Sequence, residues 1–123
     1  MVVFLALALM TTAVPPATHA QLPSPIGRFI SPLDYPVSAK PSEGKVDLVL
    51  GVDEKGRVAS CTVAKTSGSS ILDRTACDLL RRRLKFKPAQ AADGKPTSDI
   101  VETSIDWHMP PPELMARLSG ARH

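Results

Sequence analysis

Glu43-Gly44-Lys45-Val46-Asp47-Leu48-Val49-Leu50-Gly51-Val52-Asp53-Glu54-Lys55-Gly56-Arg57-Val58 is the stretch whose reading decides the fold. Val46, Leu48, Leu50 and Val52 alternate with Lys45, Asp47, Val49 and Gly51. A period of two gives a strand with one apolar face. Asp53 to Gly56 supplies turn chemistry, and Gly56 adopts positive φ at little cost. Val58 to Ser67 reads as the returning strand, through Cys61 and Val63. Ser70-Ile71-Leu72-Asp73 opens a helix, with Ser70 as N-cap and Asp73 at N3. Leu72, Ala76, Leu79, Leu80 and Leu84 recur at helical spacing, and Pro88 stops the run.

Downstream, Asp93-Gly94-Lys95-Pro96 is a second turn and Thr97 to Trp107 a third strand. Val101, Thr103, Ile105 and Trp107 point one way; Ile100, Glu102, Ser104 and Asp106 point the other. Pro110-Pro111-Pro112 ends that strand, and Glu113 to Leu118 predicts a short helix before a loose tail. Upstream, Gln21 to Phe29 is a Pro-rich lead-in. Pro36 suits the first turn of a short helix capped by Asp34 or Tyr35, with the Tyr35 ring on the core edge and its hydroxyl at the surface.

Direction fixes the topology. The second strand runs out, the helix returns, and the third strand runs parallel to the second. The first strand is antiparallel to both and takes the middle. The expected fold is α+β: a two-layer sandwich with a three-stranded antiparallel sheet in order 2-1-3. One main crossover helix and a short N-terminal helix cover one face. Leu48, Leu50, Leu80, Ile105 and Trp107 are expected in the core. The third strand is left on an edge, where Asp99, Ile100, Val101, Glu102, Thr103, Ser104 and Ile105 offer an extended partner a place to pair.

Chain length and charge narrow the function classes. The chain has 123 residues and a formal net charge of +3, which fits one domain with tails. The basic run Arg81-Arg82-Arg83 with Lys85 and Lys87 matches no nucleic-acid-reading motif, so it is a weak signal for nucleic acid and reads as a solvated helix end. Val2 to Met10 is apolar, and Thr18-His19-Ala20 resembles a cleavage site. Residues 1–20 are therefore read as a signal peptide, with export to the periplasm; the alternative is an uncleaved anchor. In an exported protein, Cys61 on the second strand and Cys77 on the helix read as a disulfide. The alternative is a pair of buried free thiols. Neither cysteine sits in a redox or metal motif.

No catalytic constellation is visible. Ser67-Gly68 lacks a nucleophile-elbow context, and His19, His108 and His123 fall in terminal segments or at a strand end. The reading is of a protein that is not an enzyme and needs no cofactor or metal.

Seven short pieces in order carry a resemblance: Tyr35-Pro36; Glu43-Gly44-Lys45-Val46; Val52-Asp53 with Gly56-Arg57-Val58; Thr66-Ser67-Gly68 with Leu72-Asp73; Phe86-Lys87-Pro88-Ala89; Asp93-Gly94; and Ile105-Asp106-Trp107. Residues 31–109 resemble the C-terminal domain of the TonB family of periplasmic energy transducers. The resemblance implies helices over one face of a small antiparallel sheet. It also implies binding of the TonB box, a short periplasmic segment of outer-membrane receptors, by strand addition. If the chain is anchored, inner-membrane ExbB/ExbD-type proteins are implied as well. The expected division is a leader (1–20), a lead-in (21–30), the domain (31–109) and a tail (110–123). The alternative function is a secreted, free-standing periplasmic binding or structural module, including a homodimer paired through the sheet edge.

Overall fold

Strand β1 (Gly44–Val52) is the middle of the sheet, and its alternate residues from Val46 to Val52 are all apolar and buried. Val46, Leu48, Leu50 and Val52 are all essentially inaccessible. Each such burial contributes roughly 1.5–3 kcal/mol relative to exposure. The computed structural model describes residues 16–39 and 42–120. In it β1 pairs antiparallel with β2 (Val58–Lys65) on one side and β5 (Asp99–Trp107) on the other, giving the order β2-β1-β5. This is the expected α+β arrangement, and Leu48, Leu50, Leu80, Ile105 and Trp107 are buried.

Helix α1 (Ser70–Arg83) covers the apolar face with Leu72, Ala76, Leu79 and Leu80. Its cap differs from the expected one by a residue. Ser69 is the N-cap, its Oγ accepting the Leu72 N–H at 3.3 Å. Asp73 then lies beyond N3 and does not close a capping box. Its carboxylate reaches back to the Ser67 N–H at 3.0 Å, the Ser67 hydroxyl at 2.7 Å and the Thr66 hydroxyl. Several hydroxyl residues compete for the cap here, and Ser69 leaves Asp73 placed to fix the incoming turn.

The helix stops at Arg83, well before Pro88, because Leu84 and Phe86 are buried from an extended segment. The Phe86 N–H donates to the Gly56 carbonyl at 2.8 Å. Gly56 has φ 82°, and a Cβ there would lie 2.0 Å from the Phe86 oxygen, so glycine is required on both counts.

The predicted third strand is divided. β3 (Ala89–Gln90) and β4 (Pro96–Thr97) form a separate two-stranded ribbon around Asp93-Gly94, and β5 begins only after Ser98. The second strand likewise ends at Lys65, because Thr66 and Ser67 turn to meet Asp73.

Among the described residues upstream of β1 are three short 3-10 turns, Ile26–Phe29, Pro32–Asp34 and Val37–Ala39. The cap of the second is Ser31, in a reciprocal box with Asp34. Tyr35 is a further correction: its hydroxyl is not at the surface but donates to the Ser42 carbonyl at 2.8 Å. The ring meets Trp107 edge-on, with centroids 6.2 Å apart. At the other end α2 (Pro112–Gly120) forms where a short helix was expected, and Met115 packs against the core.

The segment just ahead of Gln21 is paired with the domain. Thr18 bridges Gln90, and Gln21 bridges Lys87, each with main-chain hydrogen bonds in both directions. The expected leader lies mostly outside the described residues; its last residues, from Ala17 to Ala20, form a strap across the β3–β4 side.

Candidate functional site

The edge presented by β5 is built from the register of β1. The Asp53 N–H donates to the Arg57 carbonyl at 2.9 Å, so Asp53 turns its donor toward β2. Main-chain direction alternates along a strand, so Val52, Leu50, Leu48, Val46 and Gly44 turn theirs toward β5. Their register partners are Asp99, Val101, Thr103, Ile105 and Trp107, which therefore direct their main-chain groups to β1. Ile100, Glu102, Ser104 and Asp106 are left facing outward.

Of the seven residues expected at this edge, only Ile100, Glu102 and Ser104 can pair with an added strand through their backbone. Val101, Thr103 and Ile105 hold β5 in the sheet, with Ile105 buried and the other two half-buried. Asp106 is the next outward residue by the same alternation and extends the edge by one position beyond the expected run.

Asp99 has a different role. Its carboxylate accepts the Ala20 N–H at 2.9 Å and lies 3.0 Å from His19 Nδ1. The other oxygen accepts the Ile100 N–H at 2.8 Å. Burial acts to raise this carboxyl, but the Ala20 and Ile100 N–H groups and His19 outweigh it and hold it below the usual carboxylate range. The Ile100 donor is thus already engaged, and among the described residues the open donors are those of Glu102, Ser104 and Asp106. No sequence pattern pointed to the strap, because its partners lie about 80 residues away.

The ends of this edge are marked by other segments. The strap bounds it at Asp99. At the far end a concavity of about 310 Å³ is lined by Ile30, Pro32, Tyr35, Ile105, Trp107 and Met109. Ile100 is 62 % exposed, a large apolar side chain on the outer sheet face.

The opposite edge is irregular. Between the pairs Gly51–Ser60 and Val52–Val58, Ala59 has no partner; between Asp47–Lys65 and Leu48–Val63, Ala64 has none. Two bulges and a terminal lysine make β2 a poor template for a further strand. Cys61 on β2 is joined to Cys77 on α1 by a disulfide, with Cα atoms 5.8 Å apart, which ties this side of the sheet to the helix.

Among the described residues no group of three His, Cys, Asp or Glu side chains is placed to hold a metal ion. No helix among them is long and apolar enough to cross a membrane. A family model described as Gram-negative bacterial TonB protein C-terminal matches residues 31–109. No curated protein matches the chain.

Proposed function

The chain belongs to the family of Gram-negative bacterial TonB protein C-terminal domains, and from that membership we propose that it is a periplasmic protein-binding domain of energy-dependent transport. It takes an extended, TonB-box-like segment of an outer-membrane receptor as an added strand beside β5. The observation that supports this reading most is the run of outward main-chain groups at Glu102, Ser104 and Asp106, on a strand that among the described residues has only β1 as a neighbour. Such a strand is held mainly by backbone hydrogen bonds, and side chains on the two faces tune which sequence fits. The family is one of transport-related rather than catalytic domains, in keeping with a chain that acts by binding.

Proline substitution tests the edge directly, because proline removes one donor and fixes φ. Glu102→Pro and Ser104→Pro lie at outward positions and should remain folded by circular dichroism while losing affinity for receptor-derived peptides. Thr103→Pro removes a bond to β1 and should destabilise the sheet itself. If the folded outward variants bind as tightly as the parent, strand addition at β5 is wrong. A parent that binds no receptor peptide would replace this reading with the free-standing periplasmic module.

A further inference from the structure

The basic run at the end of α1 borders a concavity. Arg83 is already committed: its guanidinium holds Asp34 at 2.7 and 2.8 Å and donates to the Phe29 carbonyl at 2.8 Å. Arg83 nonetheless lines a concavity of about 530 Å³, together with Arg81, Arg82, Lys85 and Arg57. A helix dipole favours cations in the last turn of α1, which covers Arg81 and Arg82. It does not cover Arg57, which leaves the β1–β2 turn, or Lys85, which lies in the extended segment after the helix.

Those two cations stand directly opposite each other in an antiparallel bridge. Like charges placed so are destabilising on their own. The bridge is nonetheless fixed, by the Phe86 N–H on the Gly56 carbonyl and by the absence of a side chain at Gly56. The one carboxylate in the lining, Asp53, is already engaged. It accepts the Lys55 N–H at 2.9 Å, the Arg57 N–H at 2.9 Å and Arg57 Nε at 3.1 Å. Five cations and one carboxylate therefore line one concavity. Arg57 is paired with Asp53 and Arg83 with Asp34, which leaves Arg81, Arg82 and Lys85 with no carboxylate partner among the described residues; Arg82 Nε donates to the Asp78 carbonyl at 3.3 Å.

We propose that this concavity binds a phosphate group. Guanidinium and ammonium donors approach it from three separate segments. A group with several acceptor oxygens and more than one negative charge can satisfy them together, where a lone carboxylate would satisfy only one side. The phosphate could belong to an anionic lipid headgroup or to a free phosphate compound. This site is at the turn end of the sheet and is independent of the β5 edge.

The test uses the purified, isotopically labelled full chain. Inorganic phosphate is titrated while the amide resonances of Gly56, Arg57, Lys85 and Phe86 are followed. Sedimentation with phosphatidylcholine vesicles, with and without phosphatidylglycerol, runs in parallel. Saturable shifts confined to those amides are expected. Arg57→Gln combined with Lys85→Gln should weaken binding roughly tenfold. Lys45→Gln combined with Lys65→Gln removes the same charge elsewhere and should change it little. Co-sedimentation only with phosphatidylglycerol would identify a headgroup; phosphate binding without it would identify a free compound. The proposal falls if phosphate moves none of these amides, or if the control pair weakens binding as much as the site pair.

Discussion

The carboxylate of Asp99 accepts the backbone N–H of Ala20 across 79 residues of chain, at 2.9 Å. Asp99 is buried at the start of β5, so this bond joins the strap to the first residue of the candidate docking strand. Asp99→Ala is expected to leave the Ala20 and Ile100 N–H groups without their acceptor. The cost should be about 1–3 kcal/mol in denaturant melts. Hydrogen exchange should show faster exchange at Ala20 and Gln21, with Leu48 and Leu50 still protected to the global limit. Unchanged protection across the strap would show that Asp99 does not hold it.

The pH dependence follows from the same carboxylate and from Asp73. For Asp73, burial acts upward and the Thr66 and Ser67 hydrogen bonds act downward; the downward effect wins, as it does at Asp99. The unfolded chain therefore takes up these protons near the ordinary value of 3.8, while the folded chain takes them up only at lower pH. Their stabilisation is complete above the unfolded value and is lost as pH falls through the folded values. Melting temperature should hold steady on acidification to about pH 5 and then fall. In Asp73→Asn the fall should be shallower; an equally steep fall would assign the acid sensitivity elsewhere.

The disulfide closes a loop between residues 16 apart. Replacing both Cys61 and Cys77 by serine should lower stability by about 3 kcal/mol in the chain-entropy account. Intact mass after alkylation without reductant should show no adducts on the native chain. Two adducts on protein recovered from the periplasm would mean that the thiols are free there.

Gly56 and Gly68 separate two effects that glycine substitutions usually mix. Both have positive φ, at 82° and 100°. A Cβ at Gly56 meets the Phe86 carbonyl, whereas one at Gly68 meets nothing within 4 Å. Gly68→Ala should cost about 1 kcal/mol, from conformation alone. Gly56→Ala should cost clearly more, because the Leu84–Phe86 segment must move. Equal losses would show that the close approach is relieved without effect.

Much of the architecture could be read from local pattern. Val46, Leu48, Leu50 and Val52 alternate so regularly that the strand, its face and its central place all follow. The helix was legible for the same reason, from Leu72 to Leu80. Its ends were not. Ser69 and Ser70 have the same capping chemistry, and only the reach of Asp73 back to Ser67 separates them. Arg83 ends the helix because Phe86 must meet Gly56, a contact that no local signal carries. At the candidate site, alternation marked Ile100, Glu102 and Ser104 as outward. It could not show which backbone groups were free, since that depends on the hydrogen-bond phase set at Asp53 and Arg57. Asp99 passed for an ordinary edge residue because its partners lie at the far end of the chain.

The two bulges on β2 bear on how far assembly can proceed. A sheet that grows by stacking copies needs two compatible borders, one to receive and one to offer. Here only Ser60 to Val63 keep unbroken register between Ala59 and Ala64, so β2 offers a stub of four residues. A second copy reaching β5 can lay down a full-length strand only with its own β5. That arrangement closes a two-fold pair and uses up both good borders. An arriving peptide consumes the same border once. Growth through this sheet would thus be self-terminating, with the exposed strand edge confined to a single partner.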